Sequence, residues 1–542
     1  MRRQLRLPLL PFRGHDDDAP RIPREDCSRR CAARRSVRKE WHTDQRVGRP
    51  PGPFAGRAIG LWPDFDRRRW FMNPPLPARL QALPYARDTA ARLASLADHP
   101  WFMFLDSCCH AEGSRGRYDI VVCDPVSVLC TRGPVTIISD AAGVRHCEDD
   151  PFALVSSAIE ALGPVSCPLP FAGGAVGYFG YDLGRRLERL PEIAARDIDI
   201  PDMAIGIYAH AIVVDHTRGE AWLVSHPHAH STPDRLARAW LSQPAVTPAA
   251  FGTRFEVTSQ VRPEIDYTRY GTAWARIKAY LRAGDVYQVN LTQRFSAEVR
   301  GAPWDAYLRL RTLNPAPFSA FVALEEGAVL SSSPERFIRL ADEVVETRPI
   351  KGTRPRGADA VEDARLAAEL AQSAKDRAEN VMIVDLLRND LGKVCVTGSV
   401  EVPKLFAIET YARVHHLVST VTGRLRSGID GAALLRACFP GGSITGAPKI
   451  RAMEIIEELE PQRRSVYCGA IGYLSAHGQM DTNIAIRTLV QHAGRLYCWA
   501  GGGIVMDSGL ESEYQESFTK AAAMLDVFAH AEIQGMDHQG RG

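Results

Sequence analysis

Two pairs of acidic residues recur at one spacing in segments that read as helices. Asp376 and Glu379 are three residues apart, as are Glu513 and Glu516, so each pair shares a helix face. Four carboxylates converging from two helices would form a hard-oxygen donor set suited to Mg²⁺, with water or substrate completing an octahedral shell. The same spacing fits two solvated helix faces with ordinary ion pairs, and spacing alone favours that reading. Nearby residues are of a kind that handles anions. Gly441-Gly442-Ser443-Ile444-Thr445-Gly446-Ala447-Pro448-Lys449 is a Gly-rich turn entering a helix that starts near Pro448, and such a turn exposes backbone N–H groups. It lacks the Gly-Lys-Ser/Thr ending of a P-loop, so nucleotide binding is the weaker reading. Gly501-Gly502-Gly503 permits a second close backbone approach, just upstream of the Glu513/Glu516 segment. Arg487 and Lys520 supply cations, and the Arg487 fork matches a carboxylate.

The elements that must position these residues change character along the chain. Short apolar or β-branched runs at 101–106, 118–123, 135–139, 175–178, 204–214 and 221–225 predict strands. Glycines 173, 174 and 177 lack the G-x-G-x-x-G spacing and predict close backbone packing instead of a dinucleotide loop. Residues 227–260 are less regular, and part of this stretch reads as a connection into the C-terminal half. Beyond them, 266–283 and the Ala-, Leu- and Glu-rich 360–388 predict helices, 466–475 and 484–490 strands, and 512–529 a final helix. A mixed α/β protein follows, although these runs do not fix its topology.

Bulk composition narrows the class. With 542 residues, 45% hydrophobic and 24% charged, the chain is an ordinary globular protein of more than one structural unit. No apolar stretch reaches the length of a membrane span, so no membrane association is expected. The net charge of +2 is unevenly spread. Residues 1–71 hold 18 Lys and Arg against 9 Asp and Glu, leaving the remainder net acidic, and a nucleic-acid partner is not indicated. That first segment lacks hydrophobic periodicity and predicts a disordered extension or a mis-assigned start, with Met72 as the functional start. The twelve cysteines include adjacent Cys108 and Cys109 and show no zinc-like spacing, which suggests a reducing cytoplasm.

Longer motifs sharpen this reading. PERF at 334–337, PIKGTRPRG at 349–357, KDRAENVMIVDLLRNDLGKV at 375–394, FPGGSITGAPK at 439–449, MDTNIAIRTL at 480–489 and AGGGIV at 500–505 occur in one order. Together they resemble the chorismate-utilising enzyme family, densely over about 262–527 and more weakly back to 101. The resemblance implies an α+β fold, a large mixed α/β assembly with two packed β-sheets flanked by helices. It divides the chain into an extension at 1–71, an N-terminal region at 72–258, a chorismate-binding catalytic region at 259–530 and a tail at 531–542. It further implies one Mg²⁺ near Glu379 and Glu516, with Glu513 and Asp376 helping directly or through water. Asp376 departs from the family, where Glu is common. Ser443, Tyr467, Arg487 and the backbone around Gly503 are implied to hold the carboxylates of chorismate, with Lys520 nearby. His416 matches a family active-site histidine near the departing hydroxyl, whereas the adjacent His415 reads as structural.

The family expels the C4 hydroxyl of chorismate, a poor leaving group that needs a general acid. Glu335 matches the family acid and needs a raised pKa to stay protonated. Hydroxylating members carry a water-activating Lys where this chain has Gln288, and a glutamine amide is no base at neutral pH. Ammonia is therefore the expected nucleophile. Lys351 then selects the carbon, because members that aminate C2 usually have Ala in that motif. A neutral lysine amine attacks C2, and ammonia adding at C4 expels it. The expected product is 4-amino-4-deoxychorismate, on the route to p-aminobenzoate and folate. Amination at C2 is the enzyme alternative, and a catalytically silent chorismate-binding relative is the non-enzyme one.

No Gly-x-Cys-x-Gly elbow surrounds any cysteine, so a separate glutaminase subunit is expected to supply ammonia. A separate lyase is expected to release p-aminobenzoate. The segment 104–107 resembles a family region lining a tryptophan pocket, which makes Ser107 a candidate lining residue; a plain buried strand is the alternative.

Overall fold

The computed structural model describes residues 74–108, 116–242, 255–411 and 414–533. The basic extension at 1–71, Cys109 and nearly all of the tail at 531–542 lie outside the described residues. Two large antiparallel sheets dominate, of 12 and 13 strands among the described residues. Both are continuous across the boundary expected near residue 258. In the 12-stranded sheet, Ala470–Ser475 pairs with Gly174–Phe179. In the 13-stranded sheet, Phe318–Ala323 pairs with Met103–Asp106. The regions on either side of that boundary thus share their sheets, in the mixed assembly expected from the sequence.

Alternation along the strands explains the layering. Met103, Ile120, Val122 and Val213 join the main core with residues of the other sheet, such as Val176 and Ile205. Their chain neighbours Phe104, Val121, Ile212 and Val214 face the opposite way, as the two-residue period of a strand requires. There they pack under the helices Asp234–Leu241, Pro303–Leu313 and Leu510–Ile533. Glycines give the close approaches expected of them. A β-carbon at Gly174 would fall 2.3 Å from the Leu474 carbonyl, and one at Gly177 2.1 Å from that of Ala204. Among the described residues, no helix is long and apolar enough to cross a membrane.

Several elements differ from the sequence reading. The helix Asp234–Leu241 lies within 227–260, and the strand expected at 466–475 begins only at Ala470, which leaves Tyr467 in the turn before it. The apolar run 204–214 is two strands, Met203–Tyr208 in one sheet and His210–Asp215 in the other. Both are buried throughout, so the crossing at Ala209 leaves no mark on the hydrophobic pattern. The expected strand at 484–490 is likewise divided. Met480–Ile484 lies in the 12-stranded sheet and Thr488–His492 in the 13-stranded one, with Arg487 between them at φ 50°. The expected helix at 360–388 is Ala360–Gln372 followed by Ala374–Gly392. Ser373 ends the first, and its hydroxyl accepts from the Asp376 N–H to cap the second.

Candidate active site

The site lies where the chain crosses between sheets. Gly327–Ser333 belongs to the 13-stranded sheet and Arg336–Ala341 to the 12-stranded one, so Pro334-Glu335 is a crossing. The Ala485–Arg487 crossing lies beside it. Ile484 N–H donates to the Glu335 carbonyl at 3.0 Å, and Ser332 N–H to the Arg487 carbonyl at 3.0 Å. Such residues leave the ladder, so their side chains are not bound to the alternation of either sheet. Glu335 is 5% exposed. Its burial raises the carboxyl pKa, outweighing the nearby Lys351 charge and hydrogen bonds from the Ser443 hydroxyl and Ile350 N–H. Arg336 does not neutralise it, being paired with Asp481 and Glu346.

Beside Glu335, five residues close a ring of hydrogen bonds. Lys351, on the edge strand Ile350–Pro355, donates to the Ser443 carbonyl at 3.0 Å and stands 3.1 Å from Glu379 Oε1. Gln288 Nε2 donates to the same Glu379 oxygen at 2.9 Å and to Asn290 Oδ1 at 3.1 Å. Asn290 Nδ2 completes the circuit by donating to the Ser443 carbonyl at 3.1 Å. The helix Ala374–Gly392 supplies Glu379 and packs on Ile350–Pro355, Val414–Arg424 and the turn Gly442–Ile444. Lys351 and the Gln288 amide keep the Glu379 carboxyl below its usual range despite burial, which opposes them.

The remaining acidic pair comes from the final helix. A β-carbon at Gly502 would lie 3.1 Å from Glu513 Oε2 and 3.2 Å from Glu516 Oε1, so the missing side chain makes room for both carboxylates. Burial raises the Glu513 carboxyl, with the Glu516 charge adding to the effect against the Ser508 hydroxyl and lysine charges. Glu516 pairs with Lys520 at 2.7 Å, and Lys520 also donates to the Gly501 carbonyl at 3.0 Å. On the adjacent residue, a Gly503 β-carbon would fall 1.8 Å from Gln288 Nε2. The Glu513/Glu516 pair therefore borders the strand at Gly502, and Gln288, which bonds Glu379, borders it at Gly503. Asp376 sits apart from this arrangement, with its carboxylate 3.3 Å from the Arg354 guanidinium. Among the described residues, no three acidic, histidine or cysteine side chains already stand together as a metal-ion cluster.

His416 accepts or donates at 2.8 Å with the Thr353 hydroxyl. Burial first, then the charges of Arg487 and His415, depress its pKa to about 3, so the ring is neutral over the physiological range. His415 instead bonds Thr410 at 2.9 Å and Asp363 at 2.9 Å, a structural placement. Arg487 donates to Asn314 Oδ1 at 3.2 Å, and burial alone lowers its pKa. No acidic residue forms an ion pair with it among the described residues. Tyr467 stacks on Trp499 with ring centroids 5.8 Å apart and bonds Cys468 through its hydroxyl.

Comparison with known proteins decides what this constellation belongs to. The family model described as chorismate binding enzyme matches residues 109–526. The chain belongs to the chorismate-binding enzyme family. It is similar to aminodeoxychorismate synthase component 1 of Klebsiella aerogenes, 52% identical over 449 residues covering 82% of this chain and 97% of that protein. The same component of Escherichia coli K12 is 50% identical over 447 residues, again covering 82% and 97%. Anthranilate synthase component I of Streptococcus pneumoniae TIGR4 has a similar structure, with TM-score 0.68, 34% identity and coverage of 76% of this chain and 93% of that one.

In this chorismate-binding chain, Ser107 lies away from the ring. Its N–H and hydroxyl both donate to Asp119 Oδ1, at 2.8 and 2.7 Å, and Asp119 is paired with His216 at 2.8 Å. Ser107 lines a cavity of about 280 Å³ with Tyr118, Pro170, Phe318, Tyr473 and Asp481, none of which belongs to the ring. Sequence reading missed Asn290, Thr353 and Asn314 as partners of the site. Asn290 carried a signal, since Gln288 and Asn290 are two apart on one strand and share its face. Thr353 and Asn314 touch the site only through His416 and Arg487.

Proposed function

We propose that the chain converts chorismate and ammonia to 4-amino-4-deoxychorismate. The observation that carries this is the place of Lys351, an amine paired with Glu379 and close enough to the buried Glu335 for its charge to act on it. Glu335, whose burial favours the protonated carboxyl, gives its proton to the departing C4 hydroxyl, which leaves as water. Lys351, paired with Glu379 in the resting site, first gives a proton to solvent; its amine then forms a bond to C2 as the ring double bond shifts and the C4–O bond breaks. The proton shed by the lysine nitrogen restores Glu335. Ammonia then adds at C4, the double bond shifts back, and the C2–N bond breaks. One ammonia proton returns to the lysine nitrogen. Arg487, with no acidic partner among the described residues, suits a chorismate carboxylate, and neutral His416 stands next to it to orient the C4 hydroxyl.

Glu379, Glu513 and Glu516 are the residues that would hold Mg²⁺. Glu513 and Glu516 border Gly502, which has no side chain to obstruct their oxygens, and Glu379 is tied to the neighbouring Gly503 position through the Gln288 amide. The ion would supply positive charge for a substrate carboxylate. Asp376, engaged by Arg354, fits this set less well.

Ammonia would come from a separate glutaminase subunit. The relatives' names call each of them component 1 of its synthase, and no Gly-x-Cys-x-Gly elbow occurs in this chain. A cytoplasmic setting and a separate lyase acting on the product complete the reading. The test is mass analysis of the products formed from chorismate, Mg²⁺ and ammonium salts. A C4-aminated product is expected, glutamine alone should give none, and anthranilate as the main product would refute the assignment.

A further inference from the structure

Gln288 is fully buried, and its Oε1 has no hydrogen-bond partner among the described residues. A buried acceptor without a donor is costly and needs a reason. The reason begins one turn of the pleat away, at Asn290. The ring of hydrogen bonds ends on two groups that only accept, the Ser443 carbonyl and the Glu379 carboxylate. Facing the first, Asn290 must present Nδ2, which turns its Oδ1 toward Gln288. Facing the second, Gln288 must present Nε2, whose two hydrogens are then both used, on Glu379 and on Asn290 Oδ1. With the two amides locked in series, the remaining Gln288 oxygen is necessarily the bare atom.

The backbone holds Asn290 as firmly as its amide. Its N–H donates to the Thr445 carbonyl at 2.9 Å, and its carbonyl accepts from Arg464 Nη2 at 2.9 Å. Arg464, 1% exposed, also donates to the Ile444 carbonyl at 3.0 Å. The strand of Asn290 and the loop of Ser443 are thereby fastened to each other. Gly503 lies opposite Asn290 in the strand pair, and its lack of a side chain leaves room for the Gln288 amide.

We infer that Asn290 is a positioning residue that fixes the Gln288 amide so that its unpartnered oxygen receives an N–H of the incoming ammonia. The inference rests on ammonia being the nucleophile, as proposed above. Were the amide of Gln288 reversed, it would aim a carbonyl at the Glu379 carboxylate and lose both bonds. Asn290 therefore acts on ammonia through Gln288, and its loss should be felt in ammonia dependence before chorismate binding.

The test compares Asn290→Asp, Gln288→Ala and the double variant with the wild type at fixed pH. Amination at either carbon is counted, so a C2-aminated product would overturn the proposed function and leave this test intact. Asn290→Asp keeps an acceptor but cannot donate to the Ser443 carbonyl. It should raise the KM for ammonia about tenfold or more while the KM for chorismate changes by less than about threefold. The double variant should be no worse in ammonia KM than Gln288→Ala alone, because the two residues act as one unit. Equal increases in both KM values, or effects that multiply in the double variant, would overturn the inference. Should Asn290→Asp fail to fold, Asn290→Ser keeps a donor and an acceptor and carries the same cycle with a smaller rise expected.

Discussion

Gly503 and Gln288 occupy one space: a β-carbon on Gly503 would fall 1.8 Å from the Gln288 amide nitrogen. Gly503→Ala must therefore move either the strand or the amide that binds Glu379. Overpacking of this kind costs about 1–3 kcal/mol. The variant should fold with a lowered melting temperature and lose amination at least about tenfold. Wild-type activity in a folded Gly503→Ala protein would show that the amide does not matter.

Lys351 carries the proposed covalent step. With chorismate and Mg²⁺ but no ammonia, intact-protein mass analysis should find chorismate minus water on the peptide holding Pro349–Arg354. Lys351→Ala should abolish that adduct and reduce C4 amination, with residual product shifted toward C2. Lys351→Arg should not rescue it, because a guanidinium stays protonated. Near wild-type C4 amination by Lys351→Ala would reduce the lysine to an electrostatic contact.

Burial raises the Glu335 carboxyl above the ordinary glutamate range, against the lowering charge of Lys351. The protonated form is the active one. The rate, expressed against free NH₃, should lose the contribution of this acid as pH rises through the raised pKa. Glu335→Gln should remove that basic limb and cost about 10²–10⁴-fold in kcat, the usual worth of a general acid. An unchanged pH profile in this variant would reassign the acid.

Glu516→Gln keeps side-chain volume and removes one anionic ligand. The half-saturating Mg²⁺ concentration should rise about 10- to 100-fold, at least the cost of losing an outer-shell partner of a metal site. Circular dichroism should stay that of the wild type. Direct titration of Mg²⁺ binding by calorimetry should weaken in parallel, and unaltered binding would remove Glu516 from the ligand set.

Much of the site was legible in the chain because its residues fall in short, local patterns. Glu379, Glu513 and Glu516 were marked by three-residue spacing on helices, and both glycine runs by composition. Arg487 was marked as a carboxylate-binding cation but assigned to a strand interior. Its true place is a crossing at φ 50°, since the apolar run through 484–490 is equally consistent with one buried strand or two. Asp376 shared the helical spacing of Glu379, yet its carboxylate is held by Arg354. That interaction arises from the strand Ile350–Pro355 packed against the helix and has no sequence-local signature.

The sequence by itself determined the alternation that builds two buried sheets, the helices bearing the acidic pairs, and the resemblance that located Lys351 and Glu335. Those are properties of residue type and near-neighbour spacing. Only the tertiary structure decided which sheet each strand joins, and so which crossings meet at the cleft. It also decided that Lys351, Ser443, Asn290, Gln288 and Glu379 close a single ring. Hydrogen bonds between segments up to 153 residues apart depend on sheet register and helix packing, and an amide can be oriented only once both of its neighbours are in place.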